Sequence, residues 1–149
     1  MSTILTAAEK LDYRHEHHQC EVWPLMPECV RDDVCDLPST IRLRYEKNLS
    51  ASDLAHICRG PGRVDYAANV LCLSRVCHCW VDNHGAAGQV LLFAAKWLSG
   101  GADWELWGRL FTGAKSIRGW LTTDKVIEQC DEWDLRPLVM GMICDERCK

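Results

Sequence analysis

The chain has 149 residues, 48% of them apolar and 26% charged, with a formal net charge of −4. These proportions suit a globular domain with a real core and exclude a disordered chain. The acidic balance, with Lys and Arg scattered, argues against nucleic acid as a partner. No segment approaches the ~18 consecutive apolar residues that span a bilayer.

Thr6-Ala7-Ala8-Glu9 has the capping-box pattern and predicts a helix running toward His18. This opens a His-rich N-terminal helix or arm over residues 1–21. Trp23 to Cys29 holds two prolines three apart, which forbids a regular helix there. From Thr40 to Glu46 apolar residues alternate with charge, as in a half-buried strand. Ser50-Ala51-Ser52-Asp53 offers a second capping box, predicting a short helix toward Cys58 that Gly60-Pro61-Gly62 ends. Val64 to Val81 is apolar and open between helix and strand. Gly85 to Leu98 reads as a helix from its Ala and Leu content, closed by Gly100-Gly101. Trp104, Trp107 and Phe111 suit one helix face, and Thr123 to Glu132 reads as a helix. Leu138 to Cys144 reads as a strand with Pro137 at its edge. Mixed elements without strict βαβ alternation predict an α+β fold in one compact domain over residues 1–149.

Ten cysteines are many for this length. The N-terminus lacks a basic region followed by an apolar stretch, so no signal peptide is visible and the chain is read as intracellular, reduced and not secreted. That leaves metal ligands and buried thiols. Cys77-His78-Cys79 puts two thiols and an imidazole in consecutive positions. Zinc takes about four such ligands at roughly 2.0–2.3 Å, and two loops can converge on it. The candidate ligands are Cys58, Cys77, Cys79 and His84, with His56 and Cys72 as alternates, and the domain is expected to be zinc-stabilised. The plainer alternative is that Cys72 and Cys77 are core thiols while His78 and His84 are solvated. His15, His17, His18 and Cys20 form a second cluster, read as a polar helix end or as an extension of the first site.

Leu73, Cys77 and Val81 stand at i, i+4 and i+8, one stripe of a helix. The pattern resembles the BC-box by which substrate receptors dock to elongin C of cullin ubiquitin ligases, and it is also what an ordinary core stripe looks like. It competes with zinc, because one Cys77 sulfur cannot both hold a metal and fill a partner's pocket. Met142, Cys144 and Glu146 resemble the Leu-x-Cys-x-Glu strand that viral proteins add to the retinoblastoma pocket, with Met in place of Leu. Of the seven tryptophans, Trp80, Trp97, Trp104, Trp107 and Trp120 are expected in the core. No nucleophile elbow, phosphate loop or dinucleotide motif occurs, so no enzyme is indicated.

Read in order, several segments resemble the adenovirus early-region-four 34-kilodalton protein family. They are Pro24-Leu25-Met26-Pro27-Glu28-Cys29, Leu37-Pro38, Leu49 to Leu54, His56-Ile57-Cys58, Cys77-His78-Cys79 and Gly88-Gln89-Val90-Leu91. The similarity runs from about residue 22 to about residue 111. It implies a short, diverged viral early regulator of the host nucleus and cytoplasm. Such a protein would be a zinc-binding, non-enzymatic adaptor that recruits an elongin–cullin ligase to host proteins with a second viral protein. A role in viral RNA metabolism or export is the alternative. The chain is about half the family's length and lacks its arginine-rich amphipathic helix. Before Gly88 it also lacks the Leu and Cys of the family's own BC-box-like segment.

Overall fold

A computed structural model describes residues 3–34, 50–59, 63–111 and 117–147. The expected strand from Thr40 to Glu46 and the Gly60-Pro61-Gly62 stop lie outside the described residues, as do Leu37, Pro38 and Leu49 of the resemblance.

Thr6 opens the first helix, α1 (Ala7–Glu16), through a complete capping box with Glu9. The Trp-Pro-Leu segment forms one 3₁₀ turn (Trp23–Leu25), and α2 (Glu28–Val34) starts immediately after Pro27. Two short strands follow, β1 (Asp53–His56) and β2 (Val70–Leu73), separated by a 3₁₀ turn at Ala67–Asn69. They pair antiparallel, with Asp53 opposite Leu73 and His56 opposite Val70. Six α-helices follow among the described residues: α3 (Arg75–Asn83), α4 (Gly85–Leu98), α5 (Trp104–Leu110), α6 (Ile117–Leu121), α7 (Asp124–Glu132) and α8 (Arg136–Arg147). The result is a single α+β domain of mixed helices with one small sheet among the described residues. None of the described helices is long and apolar enough to cross a membrane.

Helix α4 is the axis. Val90 through Lys96 are all buried, so the helix is covered on every side. Helices α3, α7 and α8 and the Trp23 turn pack on it. The aromatic residues lock these layers. Phe93 meets Trp107 at 4.9 Å between ring centroids. Buried Trp107 donates its indole N–H to the Ala68 carbonyl at 2.7 Å. Trp97 donates to Asp145 at 2.7 Å, joining α4 to α8.

Two expected elements differ. Ser50 to Cys58 is not a helix, because Asp53–His56 is taken up as β1. Backbone pairing to β2 wins, and the Asp53 carboxylate turns to His78 and Arg75 rather than back to a cap. Leu138 to Cys144 is helix, not strand. Pro137 sits in the first turn of α8, where its missing N–H is no loss. The chain enters α8 from a Schellman closure of α7. Asp134 takes φ 55°, its N–H donates to the Asp131 carbonyl at 3.3 Å, and Leu135 N–H donates to the Cys130 carbonyl at 2.7 Å.

Helices α3 and α4 meet at an elbow where Gly88 touches the α3 backbone. A Cβ on Gly88 would lie 2.2 Å from the Val81 carbonyl oxygen. Ala is favoured over Gly inside a helix by up to about 1 kcal/mol, but overpacking costs about 1–3 kcal/mol, and here the obstacle is backbone. Gly88→Ala should therefore lower the unfolding free energy by about 2 kcal/mol in urea titration. An unchanged midpoint would mean that the elbow is looser than described.

Candidate functional site

Consecutive helical residues point about 100° apart, so Cys77, His78 and Cys79 face three different surroundings. Ser74 caps α3 by accepting the Cys77 N–H at 3.3 Å. The Cys77 side chain enters the core, where its thiol is 4.0 Å from Met26 Sδ and, as a free cysteine, interacts with the buried Cys20 thiol. Hydrogen bonding to Cys77 is the leading cause that lowers the Cys20 pKa to about 6. Cys79 is exposed. His78 lies between, half-buried against the sheet. Its Nδ1 is 2.9 Å from Asp53 Oδ2, and its Nε2 is 3.6 Å from Asp82 Oδ2.

The other expected zinc ligands are also held by partners of their own. The Cys58 thiol donates to the Leu110 carbonyl at 3.3 Å, and burial pushes its pKa up. His84 follows the last turn of α3. Its Nδ1 donates to the Trp80 carbonyl at 2.6 Å, and its ring stacks on Trp80 at 4.0 Å and meets Trp133 edge-on at 5.1 Å. Asp33 accepts the Trp80 indole N–H and stands 3.4 Å from His84 Nε2, so α2 closes this aromatic box. His56 pairs with Asp65 at 2.7 Å. Cys72 is buried in β2, where burial, and then the Glu21 charge, push its thiol up to about 11. No three His, Cys, Asp or Glu side chains are gathered to hold a metal among the described residues. Cys58, Cys77, Cys79 and His84 each face different surroundings here.

The N-terminal cluster is likewise divided. His15 and His18 are exposed, His17 stacks on Tyr13 at 4.0 Å, and Cys20 is buried.

The Leu73, Cys77 and Val81 side chains are buried at 0%, 0% and 1% exposure. Leu73 belongs to β2, and α3 starts only at Arg75, so the three do not form one helical stripe. Met142 is buried on α8, Cys144 is exposed, and the Glu146 side chain lies outside the described residues. In α8 these positions are helical rather than extended.

What α3, α4, α5 and α6 do form is a cleft of about 590 Å³, within the range of ligand pockets. Its apolar walls include Val81, Ala86, Phe111 and Trp120. Phe93 backs both aromatic walls, 5.5 Å from Phe111 and 5.9 Å from Trp120. Gln89 reaches from α4 to donate to the Ile57 carbonyl at 2.6 Å, which fixes the Cys58-Arg59 turn at the cleft's edge. Arg59 Nη1 pairs with Asp82 Oδ1 at 2.9 Å there, with both side chains nearly half exposed. Sequence reasoning missed Arg59, Asp82, Gln89 and Phe111. The available signal was the pair of arginines flanking Gly60-Pro61-Gly62. Compared with protein-family models, curated proteins and solved structures, the chain gives no match.

Two carboxylates that hold His78 and His56 carry a pH signature. Burial raises the Asp53 pKa, but hydrogen bonds from His78, Arg75 and Ser52 outweigh it and hold the carboxyl below 3.8. Lys10, then His56, lower Asp65 in the same way. Both groups bind protons more weakly when folded, so their stabilisation is present above the ordinary value and lost as pH falls through the folded one. Asp53→Asn should destabilise the protein at neutral pH, and its deficit against the natural chain should shrink as pH drops below roughly 4. Urea titrations across that range check this, and a deficit independent of pH would contradict it.

Proposed function

We propose that the chain is a non-enzymatic adaptor that holds a segment of a partner protein in the cleft between the Cys58-Arg59 turn and α6. One observation carries this reading: an open cleft with apolar aromatic walls and a weakly held Arg59–Asp82 ion pair at its rim. Such a cleft offers apolar contact in its depth and exchangeable polar contacts at its edge, the composition of protein-recognition surfaces. The Cys58 thiol in its wall bonds to a carbonyl rather than to an imidazole, and its raised pKa favours the unreactive thiol form.

The ordered resemblance to the adenoviral family supports host regulatory proteins as the partner class and ligase recruitment as the outcome. In this reading Leu73, Cys77 and Val81 serve the core, and the ligase subunit is met by another surface. This reading does not call on a zinc ion at Cys58, Cys77, Cys79 and His84, because Cys58, Cys77 and His84 have protein partners and Cys79 faces solvent. The negative net charge leaves the role in RNA metabolism without support.

Filling the cleft tests the proposal. Ala86→Arg should reduce capture of host proteins by the tagged chain at least roughly tenfold, about 1.4 kcal/mol of binding. Glu128→Arg, on the exposed side of α7, should leave capture unchanged. Thermal melting of both variants confirms the fold. Capture that survives Ala86→Arg in a folded protein overturns the reading.

A further inference from the structure

A second, smaller cleft of about 160 Å³ lies beyond the Arg59–Asp82 pair and shares both residues with the first. His56, Arg59, Arg63 and His78 line it, with Asp82 as the acidic member. In a chain of net charge −4, this concentration of basic groups in one small space is against the overall trend. We infer that this cleft takes a phosphoryl group on the partner segment, a phosphoserine or phosphothreonine followed by an apolar residue that enters the larger cleft. The inference deepens the adaptor reading and rests on it.

The charges facing the cleft support a dianion. The Asp53 carboxylate is engaged by His78 and Arg75, and Asp65 is engaged by Lys10 and His56. Both carboxylates are thereby occupied, and they fix the two imidazoles in place. Arg63 is exposed and makes no ion pair among the described residues. Among the described residues the Arg59 guanidinium pairs with Asp82 alone, through a half-exposed bridge of the kind that contributes little. Asp82 has a second basic neighbour already in place, since its Oδ2 is 3.6 Å from His78 Nε2. A ligand can therefore draw Arg59 away from Asp82 while His78 continues to face that carboxylate. Two guanidinium forks then meet a group that carries about −1.5 to −2 charge and three acceptor oxygens. A carboxylate side chain brings half that charge and would compete poorly against Asp82. The shared Arg59 and Asp82 put the phosphoryl position and the apolar cleft side by side, which sets the order of the two recognised side chains.

The test uses the full chain with two oriented peptide libraries, identical except for phosphoserine or serine at the fixed position, each followed by a varied residue. The phosphorylated library should be retained at least roughly tenfold better and should select apolar residues after the phosphoserine. Arg63→Ala, an exposed change that leaves the core intact, should remove most of that preference. Asp82→Asn, which releases Arg59, should keep or increase it. Equal retention of both libraries sinks the phosphoryl site and leaves the adaptor reading standing. So does retention of neither library, provided that Ala86→Arg still abolishes host-protein capture. A preference indifferent to Arg63→Ala, or inorganic phosphate competing as well as the phosphopeptide, overturns the assignment.

Discussion

The fold depends on covering α4 completely. A helix with apolar residues on all faces is stable in water only when neighbours enclose it. This one also carries a buried cation, Lys96, near its C-terminal end. Burial lowers the Lys96 pKa, and Glu21 and Cys72 oppose that shift. The ammonium donates to the Val70 carbonyl at 2.9 Å and to the Tyr13 hydroxyl at 3.1 Å. Tyr13 in turn donates to Glu21 at 2.8 Å, and Glu21 accepts the Cys72 N–H at 2.7 Å. The demand of one buried charge for partners thus joins α1, the segment before the Trp23 turn and β2 to the central helix. Leaving that ammonium without them would cost far more than any surface pair contributes.

The same requirement positions the cleft. The α3–α4 elbow at Gly88 brings the two helices close, α7, α8 and the Trp23 turn pack on other faces of α4, and Phe93 meets the aromatic rings of Trp107, Phe111 and Trp120. At the elbow itself, the Trp80, His84 and Trp133 rings hold α2 and α7 in place through Asp33. Gln129 fastens the elbow further, accepting the Ala86 N–H and donating to the His84 carbonyl, both at 3.1 Å. The cleft is therefore framed by rigid helices, with the half-exposed Arg59–Asp82 pair at its margin as the part free to rearrange. Recognition by exchange of an ion pair requires this combination of a fixed wall and a weakly held edge.

Much of the local structure was legible in the sequence. Thr6 with Glu9 and the composition of Gly85 to Leu98 report short-range physics, and both elements form as expected. The Ser50–Asp53 pattern misled because a capping box is a local preference, while β2 offers Asp53–His56 a complete set of backbone partners from a distance. The Pro137 segment misled because proline is compatible with a strand edge and with a first helical turn, and the Asp134 closure that decides between them is a tertiary event. The Cys77-His78-Cys79 triplet invited a metal reading because adjacency in sequence resembles adjacency in space. On a helix it is the opposite. Helical rotation sends Cys77 to the core, His78 to the sheet's carboxylate and Cys79 to solvent. The cleft left almost no trace, since its residues come from four separated segments with no shared period.

Thiol accessibility in the native full chain tests this division most directly. With a small alkylating reagent and peptide mass mapping, exposed Cys79 and Cys144 should react readily. Cys20, Cys77 and Cys130 should stay protected until the protein is unfolded, and a strong zinc chelator should change neither group. Joint protection of Cys77 and Cys79, released together by the chelator, would contradict the account and return the triplet to a metal centre.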